Sequence, residues 1–191
     1  VMTEKISLGN VEIYAPRAIV LEALQYVTGG SVLDLGAGKG RHSLFLAHKG
    51  FSVTAVEKED AQLEILKEKA TRLGVAIRIE KSDVRDFDPQ DEKYDLVLST
   101  MVLHFLSNHD EVAEVIHKMQ EMTKPAGINV VSAYINTSQP DLRPYLLNAS
   151  ELREMYSDWD LLKYEVIKGT DAKIVGPEKL IWRVEIIARK K

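Results

Sequence analysis

No cysteine occurs among the 191 residues of this chain. That absence excludes disulfides, thiolate metal sites and cysteine nucleophiles together. No stretch approaches the roughly 20 apolar residues of a membrane-spanning helix. Residues 1–5 carry no apolar run of signal-peptide length, so the expectation is a cytoplasmic protein without a membrane partner. An excess of positive charge is missing as well. The 25 Lys and Arg face 29 Asp and Glu, a formal net charge of −4. A broadly basic nucleic-acid face is therefore not expected. No His, Asp and Glu cluster has metal-ligand spacing, so no metal is expected. Repeats, low-complexity tracts and linkers are absent too. Residues 1–191 are read as one domain, with an N-terminal segment over residues 1–15 closing over the cofactor site.

What is present is a βαβ rhythm. Strand patterns end at Leu35 and run over 51–57, 75–80, 94–98, 128–134, 159–168 and 180–188. Helical patterns cover 16–27, 41–49, 61–73, 109–123 and 150–156. Gly50 and Gly74 stop two of these helices and Asn108 caps a third. Residues 124–127 read as a turn and 82–93 as a loop. The alternation argues for an α/β fold, a parallel sheet with helices on both faces.

The most informative run is Val32-Leu33-Asp34-Leu35-Gly36-Ala37-Gly38-Lys39-Gly40. A buried strand ends in a carboxylate, turns through three glycines and enters a helix. That is how α/β folds open a nucleotide-type site at the end of a strand. The spacing is G-x-G-x-G, with an acid two residues before the first glycine. Dinucleotide sites place a pyrophosphate at this helix N-terminus. Asp34 would repel that anion and suits a ligand carrying an ammonium and a sulfonium, namely S-adenosylmethionine. Two more acids, Glu57 and Asp83, fall at successive strand ends. Asp34 can meet the methionine ammonium, directly or through water. Glu57 can accept from both ribose hydroxyls, and Asp83 from the adenine amino group, with the Val84 N–H on a ring nitrogen. Gly36, Gly38 and Gly40 let the backbone approach the ligand. Lys58 and Ser99 complete the cofactor candidates.

The acceptor side is less legible. Ser99, Thr100 and Met101 should lie beside the methyl group. His104 is a candidate general base, and His42 is similarly placed. Tyr14, Arg17, Tyr134, Arg143 and Arg183 are candidate substrate residues, and arginines at such an edge suit an oxyanion. The segment after residue 98 lacks the Asn/Asp-Pro-Pro-aromatic run of nucleic-acid amino methylases, and cytosine C5 methylation needs a cysteine.

These residues resemble the class I S-adenosylmethionine-dependent methyltransferases over nearly the whole chain. A narrower resemblance is to the tellurite-resistance methyltransferases. It rests on LDLGAGKGRHSLFL (33–46), LSTMVLHFL (98–106), MQEMTKPAG (119–127) and ELREMYSDWDLLKY (151–164). The resemblance implies a Rossmann-like three-layer αβα domain. Its seven-stranded, mostly parallel sheet would have order 3-2-1-4-5-7-6, with strand 7 antiparallel. It also implies methyl transfer to a tellurium or selenium oxyanion, with S-adenosylhomocysteine as product. That family carries a His-Arg pair between its last two strands, where this chain reads Lys168-Gly169-Thr170-Asp171-Ala172-Lys173. The alternatives are a cofactor-binding module without turnover and a nicotinamide oxidoreductase. A monomer or a homodimer is expected, with a small-molecule acceptor as the partner.

Overall fold

The computed structural model describes residues 4–137, 147–170 and 180–191. It opens with a hairpin, β1 (Lys5–Leu8) and β2 (Val11–Tyr14), joined through Gly9 and Asn10. Leu8, Val11 and Ile13 alternate inward and are buried. Lys69 Nζ and Arg72 Nη2 of α3 (Asp60–Leu73) donate to the carbonyls of Glu12 and Asn10, at 2.9 and 3.2 Å. The N-terminal segment is thus a β-ribbon fastened to a helix, where the sequence pattern indicated no element.

Helix α1 spans only Ala18–Ala23, shorter than the 16–27 pattern. Arg17, extended at φ −66° and ψ 145°, is its N-cap, with Pro16 just before it. Beyond Ala23 the chain tightens, with Gln25 and Tyr26 N–H bonding three residues back. Then follow β3 (Ser31–Leu35), α2 (Arg41–His48), β4 (Ser52–Glu57), α3, β5 (Ile77–Lys81) and β6 (Tyr94–Thr100). A 3₁₀ turn at Leu103–Phe105 leads to α4 (His109–Glu121), which starts where Asn108 Oδ1 accepts from Glu111 N–H at 2.9 Å. β7 (Thr123–Thr137), α5 (Ala149–Glu154), β8 (Asp160–Thr170) and β9 (Leu180–Arg189) complete the order. The expected turn at 124–127 lies within β7. There Ala126 has φ +61° and the pairing with β6 jumps from Thr123 opposite Tyr94 to Ile128 opposite Leu96.

The sheet order is β5-β4-β3-β6-β7-β9-β8. Every pair is parallel except those of β9, which runs antiparallel to β7 and β8. This matches the expected 3-2-1-4-5-7-6 arrangement. Strand side chains alternate between two cores. Val32, Leu96 and Val130 pack with the hairpin, α1, α2 and α3. Leu33, Leu35, Val97 and Val131 pack with α4, α5 and the 3₁₀ turn. The order reverses between β3 and β6, and ligands of open α/β sheets bind at the carboxyl ends near such a point. Among the described residues, no helix is long and apolar enough to cross a membrane.

Candidate active site

The glycine turn between β3 and α2 is held by close packing and by hydrogen bonds. Gly36 has φ +73°, and a Cβ there would lie 2.4 Å from Val102 Cγ2. Gly40 has φ +81°, and a Cβ there would lie 2.3 Å from Leu66 Cδ1. Gly38, at φ +56°, faces open space. Gly36 and Ala37 N–H both donate to the Val56 carbonyl at 2.9 Å. Glu57 binds the turn from the next strand: its Oε2 accepts from Gly38 N–H at 2.9 Å. Its Oε1 accepts from Lys58 and Glu59 N–H at 2.8 and 3.0 Å.

A cleft of about 620 Å³ opens along the carboxyl ends of β3 to β6. Of the expected cofactor residues, Gly36, Gly38, Glu57, Lys58, Asp83 and Val84 line it. Asp34, Gly40 and Ser99 do not. Gly40 packs under α3. Ser99 is buried, and its hydroxyl has no hydrogen-bond partner among the described residues. Asp34 is 1% exposed and its Oδ2 accepts from Ser43 Oγ at 2.6 Å. Burial lifts its carboxyl to about 6, against the opposing Ser43 hydrogen bonds. Gln62, Arg85, Val102 and Leu106 also line the cleft, and the sequence reading did not single them out. Only Arg85 carried a signal, a cation two residues after an acid already chosen. None of residues 4–15 lines the cleft.

The tip of β6 is braced from two sides. Met101 has φ +62°, uncommon for a side chain of this size. Its N–H donates to the Ser132 carbonyl at 2.6 Å, and Ser132 Oγ donates to its Sδ at 3.7 Å. On the other side Arg17 N–H donates to His42 Nε2 at 3.4 Å, and His42 Nδ1 lies 3.2 Å from Thr100 Oγ1. With Nε2 accepting, the proton is assigned to Nδ1, which donates to Thr100. Burial, then Arg41 and Arg17, pull the His42 pKa down to about 3, so the ring is neutral.

The acceptor-side residues gather around this brace. Tyr134 on β7 and Arg183 on β9 are register partners. Arg183 Nε donates to Glu185 Oε1 at 2.9 Å. Arg41 sits 5.2 Å from the Tyr14 ring centroid. The Arg17 guanidinium is half-buried and makes no hydrogen bond or ion pair with a described residue. Burial, then Arg41 and Arg183, push its pKa below the usual range, while Tyr134 and Glu185 oppose the shift. His104 is buried. Its Nδ1 accepts from Tyr134 N–H at 3.3 Å, and its ring tilts against Tyr134 and Phe105 at 4.9 and 4.4 Å. In that tautomer the neutral ring offers Nε2–H, a donor, and the lone pair a base needs is engaged. Arg143 lies outside the described residues.

The strand order, the glycine turn and the acid-lined cleft define a fold of the S-adenosylmethionine-dependent methyltransferase class. Solved structures agree. The N-methyltransferase NodS of Bradyrhizobium japonicum, in complex with S-adenosyl-L-homocysteine, superposes with TM-score 0.73. It is 15% identical and covers 90% of this chain and 83% of its own, a likeness of fold alone. TehB from Haemophilus influenzae superposes with TM-score 0.80 at 30% identity, covering 92% of this chain and 63% of its own. The family model described as "Tellurite resistance protein TehB" matches residues 8–174, and the chain belongs to that family. The Haemophilus influenzae (strain 10810) protein described as a probable S-adenosyl-L-methionine-dependent methyltransferase TehB is 34% identical over 153 residues, 78% of this chain and 53% of the relative. Hemagglutinin 1 of Eikenella corrodens is 36% identical over 161 residues, 81% of this chain and 53% of its own length. The chain thus spans about half the length of these curated relatives.

Proposed function

We propose that the chain binds S-adenosylmethionine in the cleft and transfers its sulfonium methyl group to a small anionic acceptor. Glu57, whose Oε2 keeps one acceptor position, takes a ribose hydroxyl, and Asp83 with the Val84 N–H takes the adenine. The Asp34 carboxylate balances the ammonium from beneath the turn. The acceptor sits on the α1 side of Thr100, its charge met by Arg17, with Tyr14, Tyr134 and Arg183 around it. A lone pair of the acceptor forms the bond to the methyl carbon as the C–S pair returns to sulfur, leaving neutral S-adenosylhomocysteine. Sulfonium and anion neutralise one another in that step, so a dry site favours it. The protein works mainly by holding both partners in attack geometry.

The observation that carries this reading is a half-buried guanidinium that makes no ion pair with a described residue, one histidine away from the strand tip that borders the cleft. The engaged lone pair of His104 favours a nucleophile that needs no deprotonation. A tellurium or selenium oxyanion, whose chalcogen keeps a lone pair, fits both features. The test is incubation with S-adenosylmethionine, selenite or tellurite, and a thiol reductant. Headspace mass spectrometry reads volatile methylated product, and S-adenosylhomocysteine is measured in the liquid. Product is expected from the unaltered protein and lost in Glu57→Ala. Arg17→Ala should raise KM for the anion at least tenfold and leave S-adenosylhomocysteine affinity within about twofold. Binding of S-adenosylhomocysteine without product would redirect the search to organic acceptors. No turnover on any acceptor would favour a binding module.

A further inference from the structure

Two cations meet on Asp83, Arg85 from the loop after β5 and Lys58 from just after β4, and the assignment of Asp83 to adenine leaves both unused. Arg85 grips the Asp83 carboxylate in a two-pronged fork. Its Nε donates to Oδ1 at 2.9 Å and its Nη2 to Oδ2 at 3.0 Å. Arg85 N–H adds a third bond to Oδ1 at 3.1 Å. The fork is itself braced, since Arg85 Nη1 lies 3.6 Å from Glu111 Oε1 and Lys118 Nζ donates to the Arg85 carbonyl. Lys58 Nζ reaches Oδ2 from the other side of the cleft, at a longer 3.3 Å. Asp83 is the better buried partner, with 16% side-chain exposure against 57% for Lys58.

The two cations are not equivalent. A guanidinium fork fixes the plane of a carboxylate, whereas an ammonium is a point charge on a flexible stem. Oδ1 has both of its acceptor positions filled by Arg85. Oδ2 gives one to Arg85 and the other to the long, exposed Lys58 contact.

We propose that Arg85 is a positioning residue that fixes Asp83 to recognise the adenine amino group, and that Lys58 only holds the Oδ2 position which this amino group takes over. The proposal rests on the assignment of the cleft to S-adenosylmethionine. Arg85 also holds the Asp83 carboxyl well below the usual carboxylate range, which keeps it an acceptor without a proton to donate. A base with a carbonyl at that position then meets a fixed anion and is rejected.

The experiment is calorimetric titration of the unaltered chain and of Arg85→Ala, Arg85→Lys and Lys58→Ala. The probes are S-adenosylhomocysteine and S-inosylhomocysteine. The unaltered chain should prefer the adenosyl compound at least tenfold. Arg85→Ala should bring that preference below about threefold and weaken the adenosyl compound, with Arg85→Lys intermediate. Lys58→Ala should keep the preference, its affinity for the two compounds changing by the same factor. A preference retained in Arg85→Ala would reduce the fork to a loop staple. A preference lost in Lys58→Ala would make Lys58, and not Arg85, the group that fixes Asp83. Either result overturns the proposal. If the unaltered chain bound neither compound, the cofactor assignment itself would fall, and the proposal with it. Melting temperatures without ligand identify any variant that fails to fold.

Discussion

Asp34 and His42 are buried on the same helix-bearing side of the glycine turn, and their proton affinities move in ways that oppose each other in stability. The folded value of Asp34, about 6, exceeds its ordinary 3.8. The folded state therefore holds this proton more tightly than the unfolded chain. Stability falls as pH rises from about 4 to about 6, and the ionised carboxylate costs about 3 kcal/mol thereafter. Asp34→Asn keeps an oxygen for Ser43 and removes that cost. Its melting temperature should rise near neutral pH by about 2–4 °C per kcal/mol recovered. The gain should vanish below about pH 4, and S-adenosylhomocysteine affinity should drop sharply. Equal melting at both pH values would show that the carboxylate is solvated. His42 works in the other direction. Its folded value of about 3 lies below the ordinary 6.5, so the unfolded chain takes this proton first. Stability is lost as pH falls from about 6.5 towards 3. In His42→Asn, which keeps a donor for Thr100, stability should decline less on acidification over that range, read by urea unfolding at stepped pH. Between about pH 4 and 6 the two slopes, each about 1.4 kcal/mol per unit, offset one another in the unaltered chain.

The turn from β3 into α2 shows at the scale of one element why three glycines have different tolerances. Gly38→Ala meets no atom and suffers only the left-handed backbone, a cost of about 1–2 kcal/mol. It should fold, and because Gly38 borders the cleft it should bind S-adenosylhomocysteine at least tenfold more weakly. Gly36→Ala drives a methyl into Val102 and should lose both stability and binding. A Gly38→Ala protein with normal affinity would place the ligand elsewhere. This element was legible in the sequence because its whole logic is local: an apolar strand, an acid, and glycines at alternate positions. The β1–β2 hairpin was not. Its strands are four residues each, too short for alternation to stand out, and its fastening to α3 comes from Lys69 and Arg72, some 60 residues away. The C-terminal half of the α1 pattern failed for a related reason. Its apolar spacing fits a helix, but the chain tightens into three-residue turns before Gly29 and Gly30.

At the scale of the whole molecule, strand number, order and the reversed last strand followed from the resemblance, which fixed what local pattern could not. The cleft-lining acids Glu57 and Asp83 were legible because each sits at its own strand end, whereas Asp34 lies inside β3 and is buried. The arrangement of the residues expected on the acceptor side was not legible, because they come from across the sheet. Arg17 caps α1, Arg41 belongs to α2, Tyr134 to β7 and Arg183 to β9. Arg17 and Arg183 stand at opposite ends of the chain, and no spacing rule links them. The brace Arg17–His42–Thr100 is invisible for the same reason, since it joins residues 25 and 58 positions apart. His104 adds a detail that residue type does not carry. Residue type suggested a base, while the hydrogen bond from Tyr134 N–H decides which nitrogen carries the proton. The buried Asp34 has one more consequence, which concerns exchange with solvent. Under the binding proposed above, an ammonium that reaches this carboxyl near pH 6 expels the proton that burial keeps there. Ligand uptake then becomes an acid-releasing event, and the heat of S-adenosylhomocysteine binding at that pH should follow the ionisation enthalpy of the buffer. In Asp34→Asn, any heat still measurable should be the same in every buffer.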